Sequence, residues 1–342
     1  MSYEINYTLG MCYDYINSMI FSSDIPFKLF PDITYPAKIT AVHKRLKREL
    51  YNMNEAYCLL VNEDMRVSFM TAVYDVFFTD KEKATLGRID DMIEKIFCVP
   101  AKELAAKFVF CFDRKNEFDF YRTLTRDTVK ATKYINSMSI SDGSKNALLS
   151  ALIDNEGYKK KALEIAYRAK EVTLDIYKSN EDYINYGFKI FNDEKKIRTC
   201  LEKAEITEKG SDLVIAPTFI NSTIVKCFGY DSRQYFILGF VFYNDFTEYL
   251  ARNITLTLED VGRLFSDKTR CDAVSRLKEK ECYLAELAGA LGVPNNTLHY
   301  HMELLMEAGA VLCRVQGRRI YYRLNGKYFE AFKKLGDRFI GK

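Results

Sequence analysis

Residues 283–324 read YLAELAGALGVPNNTLHYHMELLMEAGAVLCRVQGRRIYYRL. The apolar residues of the first part recur at the spacing of one helical face, at Leu284, Leu287, Ala288 and Leu291. Gly292 follows at the kind of position where helices commonly end. Pro294 fits the first turn of a second helix, because its missing N–H would have no partner there. The pattern predicts two short helices joined by a tight turn.

The second helix, predicted over residues 294–308, has its own apolar stripe at Leu298, Met302 and Leu305. Gly309 ends it. Residues 311–315 and 320–324 then alternate as strands do, around a turn at 316–318. A helix-turn-helix followed by a basic hairpin is the layout of a winged-helix DNA-binding module.

Several segments between residues 256 and 324 resemble the winged helix of the ArsR-type bacterial repressors. The matching segments are 267–270 (DKTR) with Val274 and Leu277, 286–292 (ELAGALG), 297–302 (TLHYHM), 305–309 (LMEAG) and 317–324 (GRRIYYRL). The resemblance implies a sequence-specific regulator of transcription, a repressor, that binds double-stranded DNA as a homodimer. It covers about a fifth of the chain.

Two groups of side chains are the candidates for contact with DNA. Near the start of helix 294–308, the residues that do not belong to the buried stripe should face outward, and they are Asn295, Asn296, Thr297, His299 and Tyr300. Side chains at this end of a recognition helix reach base edges in the major groove. The basic wing over residues 314–323 adds Arg314, Gln316, Arg318 and Arg319, which suit phosphates or the minor groove. The alternative is a polar helix face in a scaffold that binds a protein partner.

The family also contains metal sensors, but the sequence predicts no metal site and no cofactor. Tyr283 and Ala285 occupy the positions of the Cys-x-Cys of the arsenic and cadmium sensors, with Cys282 displaced by one. His299 and His301 are two residues apart on a helix and point in different directions. A thiol- or metal-responsive regulator using Cys271, Cys282 and Cys313 remains an alternative.

Enzymatic motifs are missing from the sequence. There is no Gly-x-Gly-x-x-Gly and no Gly-x-Ser-x-Gly. Outside the winged helix the chain has one histidine, His43, in the basic run HKRLKRE, where we expect a solvated side chain. We therefore expect a protein that is not an enzyme.

The remainder of the chain predicts a mainly α protein with a small β component. We expect residues 1–250 to form a helical N-terminal domain that ends in a β-ribbon near 212–243, either an antiparallel hairpin or a pair of strands with a bulge near Pro217. Residues 255–342 form the winged helix-turn-helix domain. Candidate helices in the first domain span 37–52, 54–61, 64–77, 80–97, 101–111, 115–135, 141–153, 157–178 and 180–204. Its many Tyr and Phe residues suit a dimer interface or a pocket for a small-molecule or peptide effector.

Charge and cysteine usage agree with this division. Residues 251–342 contain 16 Lys and Arg against 11 Asp and Glu, so the net charge of +5 lies on the predicted DNA-binding part. Nine unpatterned cysteines, and no signal peptide or membrane segment, predict a cytoplasmic protein with reduced thiols. A last helix over 325–339 has an apolar face at Tyr328, Phe332, Leu335 and Phe339, for dimerisation or for packing on its own domain.

Overall fold

The computed structural model describes residues 2–21, 36–50, 74–113, 115–203, 206–207, 210–222, 224–240, 256–316 and 319–340. The protein is mostly helical with two small sheets, as the sequence predicts. The predicted helices 54–61 and most of 64–77 lie outside the described residues. No helix in the described part of the chain is long and apolar enough to cross a bilayer.

The N-terminal part, as we call the described residues up to 240, contains eleven α-helices and four strands whose bounds are described, and residues 74–77 are also helical. The helices are α1 (Tyr7–Phe21), α2 (Ala37–Leu50), α3 (Asp80–Ala84), α4 (Ile89–Phe97), α5 (Ala101–Asp113), α6 (Phe118–Leu124), α7 (Thr128–Ser137), α8 (Asp142–Ile153), α9 (Asn155–Ser179), α10 (Glu181–Phe188) and α11 (Glu194–Lys203). The strands are β1 (Tyr3–Ile5), β2 (Asp212–Thr218), β3 (Val225–Tyr230) and β4 (Arg233–Gly239). One apolar cluster, from Leu9 to Leu238, joins them.

Three predicted helices are each interrupted. The segment 80–97 contains α3 and α4, and α3 begins with a capping box in which Thr79 and Glu82 bond reciprocally. The segment 115–135 contains α6 and α7, because the Asp127 side chain accepts the N–H of Lys130 and starts a new helix. Residues 180–204 contain α10, a short 3₁₀ helix and α11.

The N-terminal sheet has the strand order β1-β2-β4-β3. The predicted hairpin is present, but it is formed by β3 and β4 alone. Strand β2, which we expected to be part of one hairpin arm, lies on the other side of β4 and runs parallel to it. Strand β1 then pairs in parallel with β2. The segment 212–228, expected to be one arm, therefore contains two strands on opposite sides of β4, and the sheet is mixed.

Helix α1 packs directly on the backbone of β2. A Cβ added at Gly10 would lie 1.8 Å from the carbonyl oxygen of Pro217, so only glycine allows this approach. The buried carboxylate of Asp14 then accepts the backbone N–H groups of Phe219, Ile220 and Asn221 at 2.5, 2.9 and 3.0 Å. These bonds attach the turn that follows β2 to the first helix of the chain.

The C-terminal part comprises the described residues from 256 onward. Its elements are α12 (Leu258–Leu264), α13 (Lys268–Leu277), β5 (Cys282–Tyr283), α14 (Leu284–Leu291), α15 (Asn295–Glu307), β6 (Val311–Gln316), β7 (Arg319–Leu324) and α16 (Gly326–Ile340). A second apolar cluster, from Leu264 to Tyr328, forms its core. The three strands make an antiparallel sheet of order β5-β7-β6, in which β5 was not predicted.

Candidate nucleic-acid interface

The turn between α14 and α15 contains the predicted glycine, but Pro294 lies one residue before the helix and not in its first turn. Gly292 ends α14 in the left-handed conformation, with φ +66°, which glycine adopts without strain. Pro294 directly precedes the first residue of α15. Leu298, Met302 and Leu305 of α15 are fully buried in the C-terminal core. The helix is thereby fixed with one face inward and the opposite face outward.

The predicted base-reading residues at the start of α15 are accessible. Asn295 and Asn296 are exposed, and Thr297 is partly exposed. They lie on the first turn of the helix, next to the turn that joins it to α14. This end of α15 is therefore available to a partner.

The middle of the same outward surface is covered by the N-terminal part. His299 Nε2 lies 3.9 Å from Oδ2 of Asp75 and 3.8 Å from Oε1 of Glu303. The Nζ of Lys226, on β3, lies 3.1 Å from Asp75 Oδ2 and 3.7 Å from Glu303 Oε1. Lys83 also contacts Asp75, at 2.7 Å. We call these five residues the ion cluster.

The carboxylates of the ion cluster are almost fully buried, so their pKa values depend strongly on the neighbouring charges. The side chain of Asp75 is 4% exposed and that of Glu303 is 6% exposed. Burial alone would raise the pKa of Asp75, but the ammonium groups of Lys226 and Lys83 hold it well below its usual range. Burial raises the pKa of Glu303, and His299 only partly offsets this effect. The carboxylate of Asp75 holds the pKa of Lys226 well above its usual value, although burial opposes the charge.

Three members of the ion cluster could in principle hold a metal ion. One ligand atom from each of Asp75, His299 and Glu303 lies within 4.8 Å of the others. The ammonium of Lys226, however, contacts both carboxylates, which are the hard ligands such a site would need. With Lys83, it balances the two negative charges. The residues do not fit a metal, and we interpret the group as an ion-pair cluster.

Tyr300 also faces the N-terminal part. Its ring is half-buried and packs against the N-terminal apolar cluster. Of the five predicted base-reading residues on α15, the structure thus brings His299 and Tyr300 to the contact between the two parts. It leaves Asn295 and Asn296 in solvent.

The wing carries the second predicted group. Arg319 is exposed, and its guanidinium carbon lies 4.5 Å from the ring centre of Tyr283. No carboxylate among the described residues pairs with it. Gln316 is opposite Arg319 in the β6–β7 register, and Arg314 is opposite Tyr321. The side chains of Arg314 and Gln316, and the whole of Arg318, lie outside what the structure describes.

A cleft of about 450 Å³ separates the two parts beside the ion cluster. Tyr74, Asp75 and Lys226 line it from the N-terminal part, and Asn295 and Arg319 from the C-terminal part. The buried hydroxyl of Tyr74 has no hydrogen-bond partner among the described residues. The exposed end of α15 and the wing therefore border this cleft.

The last helix packs mainly on its own part of the chain. Tyr328 and Leu335 of α16 are buried, and Tyr328 belongs to the C-terminal core. Phe332 is partly exposed and stacks on Phe265 at 6.0 Å. The side chain of Phe339 lies outside the described residues. The apolar face was expected to serve dimerisation or packing on its own domain. The contacts within one chain support packing on its own domain.

Two cysteine side chains of the C-terminal part are described, those of Cys271 and Cys282. Cys282 is buried, and burial raises the pKa of its thiol. The thiol of Cys271 donates to the backbone oxygen of Phe265 at 3.3 Å. The side chain of Cys313 lies outside the described residues. A reactive cysteine would need a lowered pKa, so Cys282 does not have the character of a thiol sensor.

Comparisons with known proteins concern this same region. A family model described as a helix-turn-helix domain matches residues 265–314, which include α13, α14 and α15. The chain is also similar to the crystal structure of a possible transcriptional regulatory protein (fragment 1–100) from Mycobacterium bovis. The two are 24% identical over 25% of this chain and 91% of that chain, with a TM-score of 0.22. A search of curated proteins finds no match. Residues 265–314 therefore contain a helix-turn-helix domain.

Sequence reasoning missed the ion cluster. Asp75 and Lys226 are single charges within the apolar runs VYDVFF and TIVKCF, and Glu303 follows His299 by one helical turn. A lone charge in an apolar run signals a buried partner, because an unpaired charge is costly to bury. That signal does not identify the partner, which here lies on a different element.

Proposed function

We propose that this chain is a DNA-binding regulator of transcription that inserts α15 into the major groove. The observation that carries the proposal is the helix-turn-helix domain at 265–314, with exposed Asn295 and Asn296 at the start of its second helix. Arg319, which has no carboxylate partner among the described residues, stands on the adjacent wing. Asparagine can bond adenine with both ends of its amide, and arginine suits phosphate.

Finer features belong to the same proposal. The resemblance of residues 256–324 to ArsR-type repressors supports a repressor that acts as a homodimer, with two half-sites about one helical turn apart. A regulator of this kind acts by binding, so the proposal includes no catalytic step and no cofactor.

The experiment is a selection of duplexes from a random pool with the full-length chain, followed by affinity measurements at two salt concentrations. We expect an enriched sequence, bound more weakly at the higher salt because phosphate contacts release counterions. Failure to enrich any sequence, together with salt-independent affinity, would contradict the proposal.

The second candidate is a protein-binding scaffold. The contacts of His299 and Tyr300 with another part of the same chain favour it, because α15 here already serves as a protein-contacting helix. Such a scaffold would show no preference among duplexes in the same selection.

A further inference from the structure

We propose that the N-terminal part holds the DNA-reading helix in a closed state, through Asp75 and Lys226, and must move away before DNA is read. This inference rests on the proposed function and concerns its regulation. The clearest sign is Glu303. Its place on α15 is on the opposite side from the stripe of Leu298, Met302 and Leu305, yet its side chain is 6% exposed and contacts Lys226 of the N-terminal part.

The covered surface is the one that a DNA duplex would need. A recognition helix enters a groove about 12 Å wide and places its outward side chains at hydrogen-bond distance from base edges. The carboxylate of Asp75 is 3.9 Å from His299 Nε2, on the side from which we infer that a base edge would approach this residue. Tyr300 is packed against the N-terminal apolar cluster on the same side. Asp75 and a duplex cannot both occupy this face.

The contact is also of a kind that can open. It is made mainly by charged groups, and on opening the carboxylates of Asp75 and Glu303 and the ammonium of Lys226 regain water. Buried ion pairs return little net stability, because the cost of removing charges from water nearly cancels their attraction. Asp75 and Lys226 also line the cleft, so this side of the ion cluster borders an opening between the two parts. A duplex that binds only the open state would shift the population toward it.

Lys226 is the residue to change, because it bridges both carboxylates and lies on β3, which is not one of the proposed DNA-binding elements. Lys226→Glu places a third negative charge beside Asp75 and Glu303 and should open the contact. Lys102→Glu, at an exposed position on α5, makes the same charge change elsewhere. Lys226→Met removes the bridging charge without adding one, and serves if the first variant does not fold.

Two readouts are measured on the full-length chain with a duplex enriched in the selection. The first is duplex affinity, expected to be on the order of tenfold tighter for Lys226→Glu than for the wild type or Lys102→Glu. The second is carbodiimide labelling of carboxylates, read by mass spectrometry. Asp75, 4% exposed, should be labelled only in Lys226→Glu and in the wild type bound to DNA. Asp142, 96% exposed, should be labelled in every sample.

The outcomes separate this inference from the proposed function. If the wild type binds the duplex as tightly as Lys226→Glu while Asp75 stays unlabelled in the complex, the closed state does not control DNA binding. The inference is then overturned and the proposed function stands. If Asp75 becomes labelled in Lys226→Glu but neither protein binds any duplex, the proposed function fails, and the inference fails with it.

Discussion

The ammonium of Lys226, on strand β3, lies 3.7 Å from carboxylate Oε1 of Glu303, on helix α15. This pair joins the N-terminal sheet to the second helix of the helix-turn-helix domain. Its position couples the proposed DNA-reading helix to the rest of the chain. Because the pair spans the two parts, substituting either residue should change the free energy of unfolding, and this change measures the contact.

Removing one partner of this cluster should destabilise the protein. We expect Lys226→Met to lower the free energy of unfolding by about 3 kcal/mol, because Asp75 and Glu303 lose the cation that they share in the folded protein. Adding Glu303→Gln should restore part of the loss, since one uncompensated charge is then gone. Urea unfolding of the two single variants and the double variant measures the coupling. Strictly additive losses would show that the pair does not interact.

The approach of α1 to β2 should tolerate no side chain at residue 10. Gly10→Ala places a Cβ against the carbonyl oxygen of Pro217 and should cost about 3 kcal/mol of unfolding free energy. Gly289→Ala is the matched control, because a Cβ there meets nothing within 4 Å on an exposed stretch of α14. It should stabilise the protein by about 0.5–1 kcal/mol, since alanine favours helix. Thermal unfolding of both variants is the measurement, and equal effects would contradict the described packing.

Asp14 should be essential for the turn after β2. Its carboxylate accepts three backbone N–H groups and, at 2.6 Å, the hydroxyl of Tyr177. Asp14→Asn presents an amide donor to some of these donors and should cost about 3 kcal/mol, whereas Tyr177→Phe should cost about 1–2 kcal/mol. Denaturant unfolding compares the two variants. A smaller loss for Asp14→Asn than for Tyr177→Phe would contradict this account.

His43 should make stability depend on pH. The expectation of a solvated side chain was wrong, because Nε2 lies 2.9 Å from the oxygen of Ile220 and the ring stacks on Phe21 at 4.0 Å. Burial lowers the pKa of His43 below its usual 6.5, so protons bind the unfolded chain more tightly. The stability that His43 contributes is present above pH 6.5 and is lost as the pH falls.

The measurement is the free energy of unfolding from pH 5 to 8 for the wild type and His43→Gln. The wild type should lose more stability than the variant on acidification. Burial raises the pKa of Asp14 to about 6, and the resulting stability is lost as the pH rises, the opposite sign. Asp14 is present in both proteins, so the difference between them isolates His43. Parallel curves would refute a buried neutral histidine.

The two proposed DNA-contacting groups should behave differently when truncated. Asn296→Ala should reduce the discrimination between bases at one position of the selected duplex, by about 1–3 kcal/mol of binding free energy. Arg319→Ala should weaken binding to all duplexes similarly and reduce the slope of log affinity against log salt by about one. Affinities for a panel of single-base variants at several salt concentrations distinguish these patterns. Identical profiles for both variants would contradict the separate roles.

The C-terminal part could be predicted because its pattern is local. The stripe at Leu298, Met302 and Leu305, the turn at Gly292 and the alternation of the wing each depend on near neighbours in sequence. The structure contains all three. Strand β5 was missed because two residues carry too little periodicity to stand out.

The N-terminal sheet and the ion cluster could not be predicted in the same way. Strand β1 pairs in parallel with β2, more than two hundred residues later, and no local pattern encodes that choice. The same is true of the contact between Asp75 and α15. The sequence indicated that Asn296 and His299 point outward from the helix. It could not indicate that one would meet solvent and the other a carboxylate.

The central claim is that the helix-turn-helix domain binds DNA, and duplex binding by the unmodified full-length chain tests it most directly. Fluorescence anisotropy with the selected duplex and a scrambled one, at low and high salt, is sufficient. The account predicts tighter binding to the selected duplex, weakening steeply as salt rises. Equal and salt-independent affinities for both duplexes, in the wild type and in Lys226→Glu alike, would contradict it.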